Sequence, residues 1–204
     1  MKNNYKFILL ITIICFILIF PGSSLANQDY WEQHYEKAEN QYNENPNSLA
    51  NNYYKTICMA NLGMINETME ILDQFKDDFT RDEFDEMFNK EIKKIDQEND
   101  EILYLNYYAF YHVIFDEYNA AIDYFEKIIK KDSNNIWPIN YKAAALIETK
   151  RYEEAHKDLK KSLNIKNNQY TRLLLGVNYY EQGQKLRAFN ELRKTGNLIS
   201  DFIF

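Results

Sequence analysis

The side chains able to do chemistry are few in this chain, and they stand apart from one another. Three histidines, His34, His112 and His156, would serve as metal ligands or proton carriers, but none has a cysteine or carboxylate at a ligand spacing such as H-E-x-x-H. His112 falls at a helix-contact position and reads as a packed histidine. Cys58 would be a thiol nucleophile beside a base; no base neighbours it in the sequence, and it reads as a small buried apolar residue. Asp77-Asp78 and Asp82-Glu83 would suit proton transfer if they faced each other in a cleft, but adjacent carboxylates at helix ends are solvated charges. Neither a glycine-rich phosphate loop nor a G-x-S-x-G elbow is present. Asn66-Glu67-Thr68 forms a glycosylation sequon to which no role is assigned. Catalytic, cofactor-binding and metal-binding residues are thus none, no cofactor is expected, and an enzyme is only a remote alternative that needs distant residues to converge.

Aromatic residues dominate where reactive ones are scarce. The 204 residues hold 17 tyrosines and 13 phenylalanines against five glycines and three prolines, a balance that favours long packed helices over strands and turns. Residues 1–26 stand apart. Lys2 and Lys6 precede an apolar run of 14 residues, Phe7 to Phe20, and Pro21-Gly22 break it before Ser24-Leu25-Ala26. This is the layout of a cleavable secretory signal with the mature start at Asn27; at about 1.5 Å per residue the run is shorter than a bilayer core. The alternative is an inner-membrane anchor built on residues 7–20. Losing residues 1–26 removes two lysines and no carboxylate, so the net charge falls from −7 to −9. An acidic surface of this kind excludes nucleic acid and anionic lipid as partners. Only Cys58 is left after the leader, so no intramolecular disulfide supports the fold.

The second half repeats itself. Tyr118, Ala121, Phe125 and Ile129 recur as Tyr152, Ala155, Leu159 and Leu163, each 34 residues on, and Ala109 recurs as Ala143 at the same spacing. Gly176 and Ala188 follow Ala143 and Ala155 after a further 33. Small residues at these points let antiparallel helices approach at their crossing, and the large residue one turn on fills the groove beside it. Leu175-Gly176-Val177-Asn178-Tyr179 followed elsewhere by Ala121-Ile122-Asp123-Tyr124-Phe125 resembles the two helices of the tetratricopeptide repeat, over residues 103–198. The resemblance implies an all-α, right-handed solenoid of antiparallel helical hairpins. Asn135 and Asn168 stand near the family's inter-repeat proline and can still make the turn, whereas Lys142 and Arg172 occupy positions that are usually apolar.

Upstream the pattern weakens. Residues 27–98 read as degenerate hairpins plus an extra helix, and residues 99–204 as three repeats ending in an apolar tail, LISDFIF, with no polar capping helix. Trp31, Tyr35, Ala38 and Tyr42 lie at helical spacing up to Asn45-Pro46. A hairpin follows in which Leu62-Gly63 ends the first helix, Asn66 caps the second, and Thr68 takes the place of the repeat alanine. Thr80 caps a further amphipathic helix carrying Phe84, Met87, Phe88, Ile92 and Ile95; QENDE at 97–101 is the expected hinge.

In tetratricopeptide arrays the first helices of successive hairpins line a concave groove. Carried over to this chain, the resemblance assigns partner binding to Tyr53, Tyr54, Asn106, Tyr107, Phe110, Asn140, Tyr141 and Tyr180, with Trp137 at the rim. Tyrosine offers a rigid ring with a polar tip, and asparagine can bond both polarities of a peptide backbone. The implied function is a non-enzymatic scaffold of the bacterial cell envelope, exported to a periplasmic, extracytoplasmic or secreted location, that binds another protein or peptide. The alternative is a cell-wall or carbohydrate-binding module using the same rings. The uncapped C-terminal end adds self-association as a further expectation.

Overall fold

Every regular element of the computed structural model, which describes residues 23–196, is a helix. The expected leader falls outside the described residues except for 23–26, which belong to the first helix, and LISDFIF lies wholly outside them. The order is α1 (Ser23–Glu44), α2 (Leu49–Leu62), α3 (Ile65–Asp78), α4 (Arg81–Glu91), α5 (Glu101–Ile114), α6 (Tyr118–Lys131), α7 (Ile136–Glu148), α8 (Tyr152–Ile165), α9 (Gln169–Glu181) and α10 (Lys185–Leu192). Short 3₁₀ turns follow α4 and α10. No described helix is long and apolar enough to cross a membrane.

Connections of a few residues force each helix back along its predecessor, so α5/α6, α7/α8 and α9/α10 are antiparallel hairpins of a helical repeat, and α6 and α8 pack in turn on α7 and α9. The small residues sit at the crossings as their spacing requires: Ala109, Ala121, Ala143 and Ala155 are fully buried, and Gly176 and Ala188 nearly so. At Gly176 the approach is close enough that a Cβ would fall 2.6 Å from Leu192 Cδ2. Phe125 and Leu159 fill the grooves beside these points.

The asparagines expected at the repeat boundaries do more than turn the chain. Asn135 Oδ1 accepts from the Trp137 amide at 3.0 Å and Asn168 Oδ1 from the Thr171 amide at 3.1 Å, capping α7 and α9. Thr80 and Glu83 form a reciprocal capping box at α4, whose Phe84 and Phe88 are buried. The two charges at usually apolar sites are paired across helices. Lys142 of α7 bridges Glu126 of α6 and Asp158 of α8, the latter at 3.2 Å; Arg172 of α9 meets Glu191 of α10 at 2.8 Å.

Asn66 does not cap α3. The Gly63 and Met64 amides close back on Ala60 and Met59 carbonyls, at 3.2 and 3.0 Å, and the chain re-enters helix at Ile65 with Met64 as the N-cap. Asn66 is left exposed inside the first turn. Likewise, the expected hinge is pinned: Asp96 caps the turn through the Glu98 and Asn99 amides, and Asp100 accepts the Tyr30 hydroxyl with His34 Nε2 3.8 Å away.

Among the elements that join the two halves, α2 reaches furthest into the repeats, packing on both α5 and α7. Gly63, with φ +81°, sits on the Trp137 ring, so closely that a Cβ there would fall 2.0 Å from Cζ2. The Tyr141 hydroxyl donates to the Ala60 carbonyl at 2.8 Å, and the Tyr53 hydroxyl to the Tyr107 carbonyl. Gly63→Ala therefore combines left-handed strain with overpacking of the α2–α7 contact. It should cost about 3 kcal/mol in urea unfolding. Gly183→Ala, with a similar φ of +72° but no atom within 4 Å, should cost only about 1 kcal/mol. Equal losses would contradict the close docking of α2.

Candidate functional site

The inner helices α5, α7 and α9 present the surface on which a partner was expected, and α2 already covers much of it. Tyr53 and Tyr54 of α2, and Asn106, Tyr107 and Phe110 of α5, are buried. Tyr53 stands edge-on to Tyr107 and Phe84, both with ring centroids 5.1 Å away, and Phe110 meets Tyr141 edge-on at 5.3 Å. These rings pack helix on helix. Burial also lifts the Tyr53, Tyr107 and Tyr141 hydroxyls well above the ordinary tyrosine range, so they stay neutral.

The amides are spent in the same way. Asn106 accepts from Asn61 Nδ2 at 2.9 Å and donates to the Ile102 carbonyl at 2.8 Å. The Asn140 amide lies 2.9 and 3.1 Å from Thr171 Oγ1, with Ser162 Oγ 3.3 Å beyond. Both asparagines are fully buried, so the expectation that they face a peptide backbone does not fit their position. A desolvated amide must be bonded: Asn106 finds its partners on α2 and on the preceding turn of α5, and Asn140 on α9. Trp137 and Tyr141 are half-buried under α2; only Tyr180 projects freely, 60% exposed.

A part of the inner face stays open beside α3. A groove of about 180 Å³ runs between α3 and the inner helices, lined by Met69 and Leu72 of α3, Phe110 and Val113 of α5, Tyr141 and Ala144 of α7, and Tyr170 of α9. Its walls are largely apolar, with Glu148 at one end. Phe110 and Tyr141 were anticipated here; Met69, Val113, Ala144 and Tyr170 were not. The missed signal was in α3, where Met69 lies one position off the buried stripe of Ile65, Thr68, Leu72 and Phe75. Apolar side chains are also exposed on the last described hairpin: Leu186 and Phe189 of α10, 83% and 64% exposed, and Val177 and Tyr180 of α9.

The reactive side chains are structural where they stand. Cys58 is buried and its thiol is pushed up by desolvation and by the nearby Asp100 charge, so it is protonated at neutral pH. His112 is only half-buried: it stacks on Tyr124 and its Nδ1 lies 2.6 Å from Glu117 Oε2. Glu117 also takes Arg81 of α4 at 2.7 Å, and these contacts hold its carboxyl below the usual range. His34 joins α1 to α2 through Tyr54, Nδ1 to hydroxyl 2.6 Å. Among the described residues no three His, Cys, Asp or Glu side chains are gathered to hold a metal.

No protein-family model matches this chain, and no curated protein matches its sequence. It is similar to three solved MamA structures. The AMB-1 form superposes with a TM-score of 0.46 at 16% identity, over 88% of this chain and 96% of that one. The MSR-1 form gives 0.45 at 16% identity over 88% and 93%, and a MamA mutant 0.44 at 17% identity over 87% and 92%.

Burial lowers the His34 pKa, against the pull of Asp100 and with the help of Lys37. The unfolded chain takes up this proton near pH 6.5 and the folded chain only at lower pH, so the unfolded state binds more protons just below 6.5. Stability should be at its full value above pH 6.5 and fall as the pH drops towards 5.5. In urea titrations His34→Gln should flatten this part of the profile; a slope unchanged by the substitution would mean that His34 does not titrate out of register between the two states.

Proposed function

We propose that the protein is a non-enzymatic helical-repeat scaffold that holds an apolar segment of another protein in the groove between α3 and the inner helices. The observation that carries this reading is the groove itself. Five helices contribute side chains to one largely apolar strip, and Met69, 40% exposed, offers a flexible thioether to it. An unbranched sulfur-bearing side chain beside a floor of alanine and aromatic carbon suits an adaptable apolar contact. The carbohydrate alternative asks for a platform of exposed rings, and of the rings named for it only Tyr180 is more than half exposed. A protein segment is therefore the better-supported ligand. The right-handed course of the repeats and export to the cell envelope belong to the same proposal; they rest on the repeat pattern and on the basic and apolar start of the chain.

A second surface favours self-association. Leu186, Phe189, Tyr180 and Val177 expose apolar surface on the α9/α10 hairpin, whereas most other large apolar side chains among the described residues are covered. Two copies meeting through this patch would bury it without disturbing the groove.

Two measurements test these surfaces. A photo-crosslinking residue placed at Met69 of the full chain in its native host should yield a discrete adduct with another protein, absent when the same residue replaces the exposed Lys160. Equal labelling at both positions would overturn the groove reading. In light scattering the mass should rise with concentration, and Leu186→Glu with Phe189→Glu should hold the protein monomeric; a wild-type chain that stays monomeric at high concentration would remove the patch as a self-association surface.

A further inference from the structure

A cavity of about 490 Å³ opens where α1, the end of α2, the α6–α7 connection and the end of α8 meet. Its wall includes Trp31, Asn61, Asp132, Asn135, Trp137 and Lys166. Three features give it a definite chemistry.

The first is a fixed acceptor. Asn61 is 5% exposed, and its Nδ2 donates to the Ile57 carbonyl at 3.0 Å and to Asn106 Oδ1 at 2.9 Å. Both partners are pure acceptors, so the amide cannot turn over without setting oxygen against oxygen. Its Oδ1 is thereby held as an acceptor, and no donor of the described residues reaches it. A buried carbonyl in this state is poorly compensated, and a donor supplied from the cavity would relieve it. The second feature is charge: Asp132, only 3% exposed, brings a carboxylate to the same wall. The third is aromatic. Trp31 and Trp137 both line the cavity, and indole is the ring that attracts a cation most strongly.

A neutral acceptor, a buried carboxylate and two indoles are complementary to one kind of group. We infer that this cavity binds a ligand through a primary ammonium, with Asn61 Oδ1 and Asp132 as its acceptors and Trp31 and Trp137 as its walls. The volume lies within the range of small-molecule sites, so the ligand is an amine of metabolite size or the amino end of a chain that threads in. Lys166 on the wall favours a ligand that also carries a carboxylate, as a free amino acid does. The site shares no wall residue with the apolar groove, and its occupation does not depend on the scaffold function proposed above.

The two tryptophans are the only ones in the chain, so their emission reports on this cavity directly. The full chain should be titrated with 1,5-diaminopentane, L-lysine and a short peptide with a free amino terminus, and with 1,5-pentanediol and glutarate as neutral and anionic controls. A saturable change with the amines and none with the diol or glutarate is the expected result. L-lysine binding more tightly than the diamine identifies the amino-acid form, and the peptide binding tightest identifies the chain terminus. Asp132→Asn should weaken amine binding at least tenfold while Lys160→Ala leaves it unchanged, circular dichroism showing both to be folded. No saturable change with any amine, or equal binding of the diol, overturns the proposal, as does full affinity in a folded Asp132→Asn. Should that variant not fold, the comparison of amine with diol on the native chain decides the matter alone.

Discussion

The rest of this structure depends on the contact between the last turn of α2 and the inner face of α5 and α7. Gly63 rests on the Trp137 ring, the Ala60 carbonyl takes the Tyr141 hydroxyl, and Asn61 is bonded to Asn106. A side chain at position 63 would hold the two helices apart, and without their approach the aromatic cluster around Tyr53 would face water. The left-handed turn that ends α2 and the docking of the N-terminal half are thus one event. Two small surfaces follow from it: the groove left beside α3 and the cavity left beyond Trp137.

Burial in this core is largely aromatic, and its innermost rings meet edge-to-face, Tyr53 on Tyr107 and Phe84 and Phe110 on Phe125 and Tyr141, as the quadrupoles of the rings allow. Tyrosines in such a core bring hydroxyls that need acceptors. Tyr53 and Tyr141 find backbone carbonyls on other helices, and Tyr30 and Tyr111 find the carboxylates of Asp100 and Asp85. Each ring therefore ties two segments by packing and by a directional bond together. This gives a chain with a single buried thiol and no disulfide among its described residues a well-specified core.

The repeat half was legible in advance because its information is local. Alanine or glycine at spacings of 34 and 33 states where helices cross, and Asn135 and Asn168 state where the next hairpin begins; each acts within its own hairpin. The capping box at Thr80 and the glycine end of α2 were legible for the same reason. Asn66 misled because a side chain that can cap a helix does so only if the preceding turn leaves it at the N-cap, and Gly63 closed that turn two residues too early.

By itself, the sequence determined that the chain is helical, that its second half is built of hairpins with small residues at their crossings, and that it holds far more aromatic surface than reactive side chains. Tertiary structure alone decided which of those rings face solvent. Periodicity places Asn106, Tyr107, Phe110, Asn140 and Tyr141 on one inner face, but a face is open or closed according to what lies against it. Here α2, from dozens of residues upstream, lies against that face, because burying two aromatic surfaces on each other removes both from water. Such a pairing between segments distant in sequence leaves no periodic mark in either of them.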